Sequence, residues 1–149
     1  MAGELQFVGF RVGQQSYALP ISTVREIVRP PVIAVVPQAP PHIAGVMNLR
    51  GRILPVVDLR KRFGQAVESC KKNRVLVIEL EGKLIGLLVD AASEVLKVAP
   101  EAVEPSPKLF GGSDDRCITG VAKYRGRLVI LLDGNKLLPE PEGVEATPA

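Results

Sequence analysis

The sequence repeats itself, and this limits what the chain can fold into more than any single motif does. Shifted by 68 positions, Phe7-Val8-Gly9-Phe10-Arg11-Val12 falls on Val75-Leu76-Val77-Ile78-Glu79-Leu80, and Tyr17-Ala18-Leu19-Pro20-Ile21 falls on Ile85-Gly86-Leu87-Leu88-Val89. Ser22 then meets Asp90, Glu26 meets Glu94, and Ile27-Val28 meets Val95-Leu96, so the apolar pattern holds over 22 positions without a gap. A second block, Ile43 to Asp58, matches Ile118 to Asp133 at a shift of 75, with seven of sixteen positions identical. The change of shift puts seven extra residues into the second copy. They fall in the Pro-, Gly- and Asp-rich stretch from Pro100 to Arg116, where a loop lengthens at little entropic cost. Two related units result, about 2–66 and 72–138. Each is near the lower limit for a core that folds alone, so the units are expected to pack together and share a seam.

Composition narrows the class further. The 149 residues include 14 glycines and 13 prolines, which long helices do not tolerate. With 46% apolar residues the chain is not disordered throughout. The longest apolar stretch, Leu84 to Ala92, is interrupted by Asp90 and is far shorter than the roughly 18 residues of a membrane-spanning helix. The start, Met1-Ala2-Gly3-Glu4, has neither a basic region nor a cleavable apolar segment, so a cytoplasmic protein without direct membrane insertion is expected. Cys70 and Cys117 belong to no CxxC or Cys/His cluster and read as reduced thiols. A structural zinc site needs about four ligands, and His42 is the only histidine, so no metal is expected. Residues 140–149 carry three acids, two prolines and no base, and read as a solvated, flexible tail.

Local patterning points to strands. Val8, Phe10 and Val12 alternate with Phe7, Gly9 and Arg11; Leu76, Ile78 and Leu80 alternate with Val75, Val77 and Glu79. Gly13-Gln14-Gln15 and Glu81-Gly82-Lys83 supply hairpin turns into second strands, Ser16–Pro20 and Leu84–Val89. Ser22 and Asp90 are each expected to cap a single helical turn. The later block reads strand–turn–strand around Arg50-Gly51 and again around Arg125-Gly126. Pro30, Pro31, Pro37, Pro40 and Pro41 suit edges and extended loops. Five short strands per unit predict an all-β chain of two small closed barrels.

Several runs together resemble one family. They are Tyr17-Ala18-Leu19-Pro20-Ile21, Val24-Arg25-Glu26-Ile27, Ile43-Ala44-Gly45-Val46-Met47-Asn48-Leu49-Arg50-Gly51, Ile53-Leu54-Pro55-Val56-Val57-Asp58-Leu59-Arg60, Gly86-Leu87-Leu88-Val89-Asp90 and Ile118-Thr119-Gly120-Val121. The chain is similar to the CheW-like domain family over about residues 5 to 138. The resemblance implies two SH3-like five-stranded barrels within one CheW-like domain, 1–139, and no catalysis or cofactor. It also implies an adaptor between the cytoplasmic tips of methyl-accepting chemotaxis receptors and the regulatory domain of a CheA-type histidine kinase, recruited to membrane-associated receptor arrays. Carried over to this chain, the receptor-facing groove involves Val24 and Glu26, then Asn48, Arg50 and Gly51, then Val89 and Asp90. No short motif marks the kinase contacts.

Each candidate has a plainer reading. Arg50 either meets a partner or braces the two barrels, and the roles are compatible. Asp58 and Asp133 occupy equivalent repeat positions, which favours a cap after each strand. Val24 and Val89 also fit a core. His42 stands in a proline loop without a neighbouring nucleophile or paired acid, which leaves catalysis poorly supplied. Gly111-Gly112-Ser113 lacks the lysine of a phosphate loop, and Asp114-Asp115 would repel phosphate. A different class is a small β-barrel that binds nucleic acid through the basic cluster Arg50, Arg52, Arg60, Lys61 and Arg62. Six aromatic residues, four of them core-like, make a poor stacking platform, so no nucleic-acid partner is expected.

Overall fold

In the computed structural model, residues 5–64, 71–105 and 117–136 are described. Cys70, most of the 100–116 insert and the tail 140–149 lie outside them. The strands are β1 (Leu5–Val12), β2 (Gln15–Pro20), β3 (Val24–Val28), β4 (Ile43–Leu49), β5 (Arg52–Asp58), β6 (Arg74–Leu80), β7 (Lys83–Val89), β8 (Ala91–Val98), β9 (Val103–Pro105), β10 (Ile118–Tyr124) and β11 (Arg127–Leu132). One short α-helix, α1 (Leu59–Arg62), follows β5, and 3-10 turns cover Pro100–Ala102 and Gly134–Lys136. The fold is all-β in two sheets, as the alternation predicts.

Two local expectations differ from the structure. After Ser22 and Asp90 the chain does not coil but enters β3 and β8. There a strand satisfies more backbone groups than one helical turn could, because an edge of β6 or β1 is waiting for each. Part of the insert is also ordered, since β9 pairs with β10.

Sheet membership departs from the sequence halves. One sheet runs β8-β1-β2-β11-β10-β9 and the other β3-β6-β7-β5-β4. The contiguous units 2–66 and 72–138 are therefore not the two sheets. Each unit lends its first hairpin to the other, and parallel pairs β2–β11 and β5–β7 join them. The repeat maps one sheet onto the other with its register. Leu131 pairs with Ala18 where Val56 pairs with Gly86. The irregularities coincide as well, between Gly9 and Phe10 against β8 and between Val24 and Glu26 against β6.

This exchange explains why the first hairpins are apolar on both faces. Val8, Phe10, Val12, Tyr17 and Leu19 pack against Leu76, Ile78, Leu80, Ile85 and Leu87 in the seam between the sheets. The alternate residues turn the other way. Phe7 and Ala18 join Leu96, Ala122, Val129 and Leu131 within one sheet, and Val75 and Val77 join Met47, Leu54 and Val56 within the other. Full burial of one such side chain is worth roughly 1.5–3 kcal/mol, so the seam is a principal source of stability. Small residues stand where backbones converge. A Cβ on Gly120 would sit 2.8 Å from the Glu104 carbonyl oxygen, and one on Gly45 would collide with that of Ala34.

Candidate functional site

The seven residues expected at the groove divide into two clusters. The first forms at the β4–β5 turn. Arg50 and Gly51 both have positive φ, 52° and 88°, the pattern of a tight two-residue turn with a twist matched to the hairpin. Asn48 Oδ1 accepts the Gly51 N–H at 2.8 Å and stiffens that turn. Arg50 then reaches β3, donating from both terminal nitrogens to the two Glu26 oxygens at 2.6 and 2.8 Å. This bidentate bond holds the Glu26 carboxyl below its usual pKa. Beside it Arg25 bonds Glu79 at 2.8 Å. Arg25, Glu26, Arg50 and Glu79, together with Leu49, Arg52 and Leu84, line an open concavity of about 340 Å³ at one mouth of the β3–β4 sheet. The Arg50 side chain is 70% exposed, so it stands at a surface and is not a brace between the sheets.

The second cluster lies at the seam. Asp58 ends β5 and caps α1, accepting the Arg60 N–H at 3.0 Å. The Arg60 side chain turns back to both Asp58 oxygens, at 3.0 and 3.2 Å, and also reaches Asp90 Oδ1 at 3.3 Å. Asp90 Oδ2 in turn accepts the Gly13 N–H at 2.6 Å from the β1–β2 turn. One buried guanidinium thus ties β5, the end of β7 and the hairpin of the other sheet together. Burial opposes the Arg60 charge, but Asp58 and Asp90 outweigh it and raise its pKa.

Arg60 is the residue that sequence reasoning misplaces. Proximity along the chain groups it with Arg50, Arg52, Lys61 and Arg62 as a basic surface, yet its side chain is only 4% exposed. A usable signal is present, because Asp58 is a cap position with an arginine two residues on. With Arg60 buried and Arg50 bound to Glu26, the cluster does not make one basic face for nucleic acid.

Val89 is fully buried in the seam, and Val24 packs against the same cluster while half-buried. Both take the core reading in this structure. Asp133 also acts as a cap, accepting the Asn135 N–H at 2.9 Å. His42 uses its carbonyl to accept the Asp58 N–H at 2.8 Å, while its Nε2 is buried and finds no hydrogen-bond partner among the described residues. Burial, then the nearby Arg62 charge, lowers its pKa. Among the described residues no three His, Cys, Asp or Glu side chains converge as metal ligands, and no helix is long and apolar enough to cross a membrane.

The chain is similar to known proteins over most of its length. The family model of the CheW-like domain matches residues 6–142. A chemotaxis protein CheW from Rhizobium meliloti is 33% identical over 141 residues, covering 94% of this chain and 91% of that protein. One from Helicobacter pylori is 35% identical over 136 residues, covering 90% of this chain and 81% of that protein. The crystal structure of the scaffolding protein TtCheW from Thermoanaerobacter tengcongensis superposes with a TM-score of 0.80 at 34% identity, covering 87% of this chain and 89% of that one.

Proposed function

The chain belongs to the CheW-like domain family, and from that premise we propose that it is a non-enzymatic chemotaxis adaptor that couples methyl-accepting receptors to a CheA-type histidine kinase. In this reading it acts in the cytoplasm and is recruited to membrane-associated receptor arrays. The observation that carries the reading is the rigid polar mouth built from Glu26, Asn48, Arg50 and Gly51.

An adaptor needs surfaces that keep their shape before the partner arrives, since ordering them on binding would cost affinity. The Asn48-braced turn and the Glu26–Arg50 fork meet that need. The receptor's helical hairpin lies across this mouth, its carboxylates and backbone carbonyls meeting Arg50, with Leu49 and Leu84 of the lining offering apolar area. Asp90, at the opposite end of β7 from Leu84, fixes the β7–β8 corner through Gly13 and Arg60, and Val89 is buried beside it. The kinase's regulatory domain binds elsewhere on the two sheets.

Co-sedimentation tests this directly. The chain is expected to pellet with receptor-bearing membranes and to carry a CheA-type kinase down with it. If it pelleted with neither partner, the adaptor reading would fall.

A further inference from the structure

β4 ends its sheet, and Ala34 lies against its outer edge. Ala34 and Val46 exchange both backbone hydrogen bonds, each 2.9 Å long. Ile33 packs against the cluster around Met47 and Leu54 and holds the segment there. In an antiparallel pair, a residue that turns both backbone groups to one side leaves its neighbours to turn theirs to the other. Ile33 and Val35 are those neighbours, and neither makes a hydrogen bond among the described residues. The side chains around them are open, with Val32 91% and Val35 79% exposed.

The other sheet protects the equivalent edge. Val121, the repeat image of Val46, pairs with Glu104 of β9, so Glu104 stands where Ala34 stands. An exposed charge on an edge strand deters a further strand, because a second copy would bring a like charge against it. At the Ala34 edge that protection is missing: residues 30–49 include no Asp, Glu, Lys or Arg. The segment also reads nearly alike from its two ends, Pro31-Val32-Ile33 from one and Pro37-Val36-Val35 from the other, with Ala34 at the centre.

We propose that residues 32–36 pair antiparallel with the same residues of a second copy of this chain, about a twofold axis at Ala34. In this register Ile33 of each copy exchanges hydrogen bonds with Val35 of the other, and Pro31 and Pro37, which lack an N–H, end the ladder on both sides. Charge complementarity and symmetry select the occupant. An identical strand brings no charge to an uncharged edge, and the twofold gives each outward N–H a carbonyl. The contact is small, so association is weak and depends on concentration. The pairing does not rest on the adaptor reading.

Sedimentation velocity of the full chain, from micromolar to millimolar concentration, is expected to show a monomer passing to a dimer and to nothing larger, because a twofold contact closes. Val35→Pro removes an outward N–H from each copy and spares the Ala34–Val46 bridge, so dimerisation should weaken by about tenfold or more. If Val35→Pro alters the circular dichroism, Val35→Lys gives the same readout by charging the edge. Disulfides formed with diamide then read the register, with the unaltered chain as background. Ala34→Cys is expected to link to itself at the axis, where facing Cα atoms are about 4.5 Å apart. Val32→Cys lies about 13 Å along the strands from its own image, so alone it should not exceed the background, but it should link to Val36→Cys when the two are mixed. A monomer at every concentration overturns the proposal, whether the edge stays open or another part of the chain covers it. So does a dimer that neither Val35 variant weakens, or Val32→Cys linking to itself as fast as Ala34→Cys.

Discussion

At the end of β5 the Asp58 N–H donates to the His42 carbonyl at 2.8 Å; at the end of β11 the Asp133 N–H donates to the Cys117 carbonyl at 2.8 Å. These corners are images of each other under the repeat, and both aspartates cap the turn after their strand. Beyond the cap they diverge. The Asp58 corner buries Arg60 between Asp58 and Asp90. The Asp133 corner has exposed Asn135 instead of the arginine, and Gly134 packs close to Ile78, Leu80 and Thr23. One corner is fastened by charge and the other by shape. The difference shows what a duplicated scaffold can vary. The backbone requirement, a capped turn at the strand end, is kept, while the means of anchoring that turn to the opposite sheet is open.

The largest effect is expected from removing the charge-based fastening. Arg60→Met leaves Asp58 and Asp90 facing each other without their cation, and should cost about 3–5 kcal/mol of stability in urea unfolding. Asn135→Ala at the twin corner should cost no more than about 0.5 kcal/mol. Similar losses at both corners would erase the distinction.

A smaller contrast lies at the paired glycines. Gly45 has φ 146° and lies against the Ala34 carbonyl, so Gly45→Ala adds backbone strain to a steric clash. A loss of about 2–3 kcal/mol is expected. Gly120→Ala meets Glu104 without that backbone penalty, and about 1 kcal/mol is expected. Thermal melts of the two variants would rank them, and the reverse order would contradict the geometry.

The smallest contrast is in pH. His42 has a folded pKa below its unfolded value of 6.5, through burial and then Arg62. Its contribution to stability is therefore complete above pH 6.5 and is lost as pH falls through the lower folded value. Amide exchange at Asp58 should accelerate relative to Asp133 as pH drops below 6.5, and His42→Leu should abolish that difference. An equal response at both amides would rule out His42 as its source.

The strand pattern, the hairpin turns and the two caps are legible in the sequence because each is local. Alternation, positive φ at glycine and an aspartate before a turn act within a few residues. The exchange of first hairpins is not legible, because alternation records which face is apolar and not which strand will be the neighbour. For the same reason the segment after Ser22 reads as a turn of helix. Val24-Arg25-Glu26-Ile27 has apolar residues three apart, and only the waiting edge of β6 decides for a strand. In the candidate site, Gly51 is legible through its turn, whereas Glu26, Asn48 and Arg50 are singled out by the family resemblance, and the structure joins Glu26 to Arg50 and Asn48 to Gly51. Arg60 escapes a sequence reading because burying a charge is decided by partners far along the chain, here Asp90.

The two repeat-related hairpin turns, β4–β5 and β10–β11, offer the most direct test of the proposed function. Arg50 and its repeat image Arg125 both stand at the turn of a hairpin, but Arg50 grips Glu26 while Arg125 lies over the Tyr124 ring, 5.2 Å from its centroid. Affinity for receptor-bearing membranes should be measured for Arg50→Glu and Arg125→Glu alongside the unaltered chain, with folding checked by circular dichroism. We expect Arg50→Glu to weaken receptor binding by about tenfold or more with the fold intact, and Arg125→Glu to bind as the unaltered chain does. Undiminished binding by Arg50→Glu, or equal losses in both variants, would contradict a receptor site at the Glu26–Arg50 mouth.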